Sequence, residues 1–366
     1  MTEAIKVAVV GTNIGCTLHV RALKAAGFDV VALVGRNREQ TAARARHFGI
    51  ARSFGSIDAA LDSEVDAVVI ATPPATHHEF VMKSIAAGKH VLCEKPFALD
   101  IGHAIEMRDA AGAAGVANMI THEFRWFAQN ALVRHLVRDG KIGTLIQLTA
   151  VFDHNLCAAP DIDVPDWWRE QSRGGGWLRN YNAHGIDLIR YMAGEFGAVC
   201  GTVHSGSDRG MTSDDSYAAA FVLTSGTQGT MAGSCRAWDY HASTRAIGSN
   251  GTVNLSPAGV SLIDRNGQSS VELPSQLAEQ LRGGGRAVSA PDERLPDMGK
   301  SLYVRTHSSD YGFPEQVALS CAFASWIRNR SYRNPAIADF NDGLAHVQVI
   351  AAVEQSRVEK RWIDIR

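Results

Sequence analysis

Residues 7–20 read VAVVGTNIGCTLHV: an apolar run suited to a buried strand, a glycine turn at Gly11 to Gly15, then a helix-like stretch. A strand that turns on glycine into a helix opens a βαβ unit, and the N-terminus of that helix offers backbone N–H groups to an anion. Gly11 permits the tight turn and Gly15 lets the chain approach a pyrophosphate, with Asn13 and Ile14 between them. The full G-x-G-x-x-G pattern is not met, because Asn13 and Cys16 occupy its second and third glycine positions. Asn tolerates left-handed backbone better than most residues, and Cys is small enough for close packing. Taken alone, the same pattern also fits an ordinary strand-to-helix turn.

Outward from this turn, short apolar runs alternate with helical patterns. Ile5–Val10, Val30–Val34, Ala67–Ala71 and His90–Cys93 read as strands, and Cys16–Ala26, Arg38–Phe48, Ile57–Asp62 and His77–Ala87 as helices. Strand–helix alternation predicts a parallel sheet, and continuous apolar strands suit a sheet covered on both faces. After about residue 124 the pattern changes. A helix at Asn130–Asp139 and a strand at Leu145–Phe152 lead to a Pro-, Asp- and Trp-rich loop, a triple glycine, and a helix from Tyr181 to Met192. Strand-like segments follow at Ala218–Thr224, Gln228–Cys235, Thr244–Gly248, Thr252–Leu255 and Ser261–Asp264, parted by turn signals as in an antiparallel meander. Arg282–Lys300 reads as a surface loop, and helices at Pro314–Arg328 and Asp342–Arg357 close the chain. The expected fold is an α/β N-terminal Rossmann domain with a parallel sheet, residues 1–124, plus an α+β C-terminal domain with a largely antiparallel open sheet, residues 125–366. The first would bind a dinucleotide; the second would bind substrate and a further subunit.

Bulk composition agrees with two globular domains: 366 residues, 45% hydrophobic and 20% charged. A formal net charge of -2 without a long basic run argues against nucleic acid or an anionic membrane as partner. Six cysteines without a C-x-x-C pair suit reduced thiols. MTEAIKVAVVG carries no signal-peptide pattern, and no apolar stretch reaches membrane-span length, so a soluble cytoplasmic protein is expected. HExxH is absent, since His122-Glu123 is followed by Phe124-Arg125-Trp126, and no metal site is expected.

The second strand ends VALVGRN. Where a carboxylate would take the ribose hydroxyls of NAD, this chain has Gly35, then Arg36. A guanidinium beside a missing acid favours the 2′-phosphate of NADP, with NAD as the other possibility. Glu94-Lys95-Pro96 follows a strand, where open α/β sheets place ligands. A partly buried Lys there can hydrogen-bond a reacting oxygen and shuttle its proton.

The ordered set is specific. VDAVVIATPPATHHEFVMKSIAAGKHVLCEKPFALD and the later GGGWLRNYNAHGIDLIRYMAGE resemble the glucose–fructose oxidoreductase / inositol dehydrogenase (Gfo/Idh/MocA) family, over nearly the whole chain. The resemblance implies a nicotinamide-dependent oxidoreductase acting on a secondary alcohol or ketone of a sugar, sugar acid or cyclitol, as a homodimer or homotetramer. It places Ala71, Thr72, Pro73, His77, Glu94, Lys95 and Arg125 near the cofactor, with Gly11, Asn13, Ile14, Gly15 and Arg36. It implies Lys95, Asn180 and His184 as catalytic, His184 being the proton carrier, while Trp168 and Arg169 join them around the substrate. Asn180 departs from the family, which has an acid four residues before the His; it can hydrogen-bond substrate or Lys95, or cap the following helix. Asp187 fits a helix-stabilising role as well as a catalytic one; Trp167, His122, His154 and His307 are further pocket candidates. Oxidation of an aromatic dihydrodiol, or nicotinamide sensing without turnover, are the competing functions.

Overall fold

The computed structural model describes residues 3–158, 164–205, 210–284 and 312–365; His307 and most of the Arg282–Lys300 loop lie outside them. The chain divides into two compact units, residues 1–126 with 279–344, and residues 127–278 with 345–366.

The first unit holds a six-stranded, all-parallel sheet in the order β3-β2-β1-β4-β5-β6, formed by β1 (Lys6–Val10), β2 (Asp29–Val34), β3 (Arg52–Phe54), β4 (Ala67–Ile70), β5 (His90–Cys93) and β6 (Asn118–Ile120). β4 is buried along its whole length, as expected for a strand covered on both faces. The order reverses between β1 and β4, which is the switch point where such sheets open a crevice. Helix starts are capped by Asn37, Ser56 and Asp100, whose side chains accept from backbone N–H groups of the first turn. The helix after β1 opens as a wider π-helical turn, Gly15–Val20, before continuing as Arg21–Ala25.

A division at 124/125 assigns residues 279–344 to the second domain, whereas by contacts they group with the first unit. The reason is apolar burial. Leu319, Ala322 and Phe323 of the helix Phe313–Arg328 share one core with Val7, Leu23 and Phe28, and the Phe28 and Phe323 rings stack at 6.1 Å.

The second unit holds a nine-stranded sheet in the order β14-β13-β12-β11-β7-β10-β9-β8-β15. Its strands are β7 (Leu145–Asp153), β8 (Phe196–His204), β9 (Ser216–Leu223), β10 (Gln228–Ser234), β11 (His241–Gly248), β12 (Thr252–Ser256), β13 (Gly259–Asp264), β14 (Gly267–Ser270) and β15 (Ile363–Asp364). All neighbours are antiparallel except β7 and β10. The expected meander is therefore interrupted: β7 lies between β10 and β11, with the hairpin β9–β10 on one side and the run β11–β12–β13–β14 on the other. Leu132 and Leu136 of the helix Ala128–Arg138, with Tyr191 and Met192 of the helix Asn182–Ala193, pack on Ala246 and Val253 of the sheet. No helix among the described residues is long and apolar enough to cross a membrane.

Candidate active site

In the first unit the candidate residues converge at the carboxyl ends of β1, β4 and β5. Gly11 has φ +118°, and a Cβ there would overlap the Ala71 carbonyl oxygen. Only glycine fits. A Cβ at Gly15 exists on paper at 3.5 Å from the Ala71 Cβ and 3.1 Å from Val9 Cγ1, so glycine lets helix and strand approach closely. Gly11, Gly15 and Ala71 thus form one cradle. Asn13 is not left-handed, contrary to the reason the sequence suggested. Its side chain instead accepts from Arg44 Nη1 at 3.0 Å, and the same guanidinium nitrogen donates to the Thr12 carbonyl, so the turn is braced from the next helix.

The β4 and β5 turns are tied by His77. This fully buried ring meets the Thr72 carbonyl at 2.8 Å through Nε2 and the Pro96 carbonyl at 3.0 Å through Nδ1. Burial lowers its pKa, opposed by the Thr72 carbonyl and the Glu94 charge. Glu94 is buried beside the partly buried Lys95, and the Lys95–Pro96 peptide is cis. The Lys95 backbone N–H donates to Glu94 Oε2 at 3.1 Å, while Glu94 Oε1 lies 2.8 Å from His19 Nε2. Burial would push the Glu94 carboxyl up; the His19 hydrogen bond and charge, with the Lys95 charge, instead hold it at about 2. A permanent carboxylate therefore sits against the Lys95 backbone.

Two further groups escaped the sequence reading. His19 is four residues beyond Gly15 in the same helix, and that spacing was its only signal. Glu123 follows β6; burial and the Glu94 charge push its carboxyl up to about 8, against the Lys95 charge. At neutral pH it keeps its proton, and only one of the two acids near Lys95 is charged.

Arg125 is buried, with Nη2 on Asp342 Oδ1 at 2.8 Å and Nη1 on the Ile337 carbonyl at 2.9 Å. Its guanidinium braces the helix start at Phe340. His122 is buried after β6. Arg36 is exposed beyond β2. A Cβ at Gly35 would come within 2.5 Å of Thr41 Oγ1 and 2.6 Å of Thr12 Cγ2, so a larger residue there would require those threonine side chains to shift.

In the second unit, the triple glycine wraps two buried groups. A Cβ at Gly175 would overlap the Trp168 carbonyl, and one at Gly176, with φ +111°, would overlap Asp214 Oδ1. Trp168 is 3% exposed and its Nε1 donates to the Gly176 carbonyl at 3.2 Å, which makes it an anchor for the loop. Arg169 Nε donates to the Val164 carbonyl at 3.1 Å; Trp167 is half-buried. Asn180 Nδ2 donates to the carbonyls of Gly174 at 2.9 Å and Gly176 at 3.2 Å. It does not cap the following helix, whose N-cap is Tyr181. His184 is buried in the first turn of that helix, its ring 6.1 Å from Tyr181 and nearly edge-on. Asp187 faces Arg190 at 3.7 Å, which supports its helix-stabilising role.

Asp214 was not anticipated. Its Oδ2 accepts from the Leu178 N–H at 2.7 Å, and burial raises its pKa from 3.8 to about 7 despite that bond. The folded state thus holds the proton more tightly than the unfolded chain, so this group favours folding below pH 3.8 and loses that contribution as the pH rises to about 7. Asp214→Asn keeps an acceptor for Leu178 without the charge. We expect it to stabilise the second unit by about 1–3 kcal/mol at pH 8 and not at pH 4, read from urea unfolding at both pH values. Equal effects at the two pH values would show that the carboxyl does not titrate in this range.

Comparison with known proteins bears on the family and the fold. Residues 5–122 match the oxidoreductase family with an NAD-binding Rossmann fold, and residues 130–254 match the GFO/IDH/MocA C-terminal domain. The chain belongs to the GFO/IDH/MocA oxidoreductase family. It is 35% identical over 175 residues to a 1,5-anhydro-D-fructose reductase of Ensifer adhaerens, covering 47% of this chain and 51% of that one. It is 30% identical over 164 residues to a levoglucosan dehydrogenase of Pseudarthrobacter phenanthrenivorans, covering 44% and 42%. The matches span about half the length of these curated relatives. A levoglucosan dehydrogenase solved with NADH and levoglucosan has the same fold, with a TM-score of 0.82, 21% identity, and 99% and 100% of the two chains covered. The first matched segment holds the glycine turn and Glu94-Lys95-Pro96, and the second holds Asn180 and His184.

Proposed function

We propose that this chain is a cytoplasmic NAD(P)-dependent oxidoreductase that interconverts a secondary alcohol and a ketone on a sugar, sugar acid or cyclitol. The observation that carries this is the gathering of Gly11, Ala71, Thr72 and Glu94–Pro96 at the ends of neighbouring strands around the switch point. The cradle that excludes a Cβ at Gly11 fits a pyrophosphate approaching the helix N-terminus. When bound, the nicotinamide supplies or accepts the hydride. Lys95, beside the charged Glu94, holds the reacting oxygen; Lys95 and His184 hold and move its proton. Arg125 positions the chain that follows β6. Two relatives named for anhydro-sugars support a sugar as the substrate class. An absorbance screen near ~340 nm with sugars, cyclitols and dihydrodiols tests this, with both cofactors. Turnover of dihydrodiols alone would overturn the sugar assignment, and nicotinamide binding without any turnover would make the chain a sensor.

NADP(H) is the cofactor we assign, because residue 35 is a glycine and offers the ribose hydroxyls no carboxylate, while Arg36 stands exposed beside it. Arg36→Ala is expected to weaken NADP(H) by about 1.5–3 kcal/mol and leave NAD(H) unchanged in parallel titrations. A wild-type preference for NAD(H), or equal loss of both, refutes that assignment.

The working form is a homodimer or homotetramer in this reading. β9 and β10 bury Tyr217, Ala219, Phe221 and Met231 on one face and leave Ala218 and Thr230 exposed on the other. Such a small-residue face suits a second copy. Sedimentation equilibrium giving the mass of one chain at micromolar concentration overturns it.

A further inference from the structure

We propose that Tyr181, His154 and Tyr240, backed by Phe152 and Trp177, form a stacking subsite for the apolar face of a cyclic sugar beside His184. This rests on the oxidoreductase reading and names where its substrate is held. All these residues belong to the second unit.

Trp177 is fully buried and is the foundation. Tyr181 stacks on it at 4.5 Å and 17°, and on Phe152 at 5.0 Å and 24°. These near-parallel rings make a floor. Tyr240 stands across it, 84° to Phe152 at 6.1 Å and 82° to His154 at 5.3 Å, and makes a wall. His154 is 5.7 Å from Tyr181, and His184 meets Tyr181 at 6.1 Å and 73°. The floor is only partly covered, since Phe152, His154 and Tyr181 are half-buried and Tyr240 is 44% exposed. Trp238, two residues earlier on the same connection, is 79% exposed. Large aromatic surface left in water at one place marks a binding surface.

The chemistry of the corner selects among ligands. An aromatic face takes up aliphatic C–H groups, and the Tyr181 and Tyr240 hydroxyls and the His154 ring nitrogens put polar atoms at its edge. A cyclic sugar has an apolar ring face and hydroxyls around its edge, so it satisfies both. A planar hydrocarbon offers nothing polar at its edge, and an open-chain polyol has no fixed apolar face. The aromatic contact expected of Trp168 passes to these residues, because Trp168 itself is buried against Gly176.

Binding is measured by calorimetry on the full chain saturated with reduced cofactor, using levoglucosan, D-glucitol and a benzene cis-dihydrodiol as probes. Tyr240→Ala should raise the levoglucosan Kd about tenfold and leave D-glucitol within about twofold, and Tyr240→Phe should restore levoglucosan. The exposure of Tyr240 makes the alanine variant a mild change for the fold. An unchanged levoglucosan Kd in Tyr240→Ala, tighter binding of the dihydrodiol, or no levoglucosan binding by a cofactor-loaded chain would each overturn the subsite and leave the oxidoreductase reading standing. A chain that binds no reduced nicotinamide sinks the reading on which the subsite rests.

Discussion

Lys95→Met is expected to lower kcat by about 100- to 10,000-fold while nicotinamide affinity changes by less than about threefold. Met keeps the length and apolar stem of Lys and removes only the charge and the proton. The backbone at residue 95 is fixed independently of the side chain, because its N–H donates to Glu94 Oε2 and Glu94 is itself held by His19. His77 bridges the Thr72 and Pro96 carbonyls, so the turn that carries residue 95 also keeps its shape. The substitution therefore separates chemistry from binding. A proton carrier lost in this way cuts turnover; a surface Lys lost in this way does nothing. Stopped-flow single turnovers, with nicotinamide binding measured on the same preparation, make the comparison. Wild-type-like kcat would remove Lys95 from the mechanism, and a parallel loss of nicotinamide affinity would make it a cofactor-binding residue only.

The parts of the fold that could be read in the sequence are those whose cause is local. β1, β2, β4 and β5 are apolar runs bounded by turns, and His90–Cys93 is found within the limits read for it. The helix Ile101–Ala114 went unread although Asp100 caps its start and Gly115, in the left-handed region, ends it; its weak apolar periodicity hid it. β8 was missed because Gly197 and Gly201 interrupt its apolar pattern; a Cβ at Gly201 would lie 2.7 Å from the Ala219 Cβ of β9, a closeness the sequence does not show. Residues 279–344 group with the first unit through Leu319 and Phe323, whose apolar stripe says that they are buried and not against what.

The same limit governed the site. Gly11, Lys95 and His184 stand in motifs. The buried contacts around these motifs do not: His19 meets Glu94 across 75 positions, and Asp214 meets Leu178 across 36. The spacing of His19 from Gly15 places it on the helix but does not name Glu94 as its partner, and nothing local to Asp214 points to Leu178. Trp168 shows the converse, since an aromatic beside a triple glycine reads equally well as pocket or anchor, and its burial, its bond to the Gly176 carbonyl and the missing space at Gly175 decide for the anchor.

Asn180→Asp is expected to destabilise the second unit by about 2–4 kcal/mol at pH 8, because a buried carboxylate would face two carbonyl oxygens. In the wild type, Nδ2 donates to both Gly174 and Gly176, and the residue is 5% exposed. Aspartate has no donor unless it takes a proton. Its folded pKa would therefore lie above its unfolded one, so the penalty is small below about pH 4 and grows as the pH rises towards the folded pKa. For a unit of this size the loss amounts to a melting temperature lower by about 5–15 °C at pH 8, and less at pH 5. A catalytic role for the neutral amide adds a second, separable signature. A carboxylate four residues before His184 would stabilise the protonated form of the proton carriers, so the acidic limb of the oxidative kcat/KM profile should move to higher pH. The shift belongs to the coupled site and not to one residue. Lower stability with an unmoved profile assigns Asn180 to bracing the glycine loop; a moved profile makes it part of the proton path as well. A variant as stable as the wild type at pH 8, with the same profile, removes both roles.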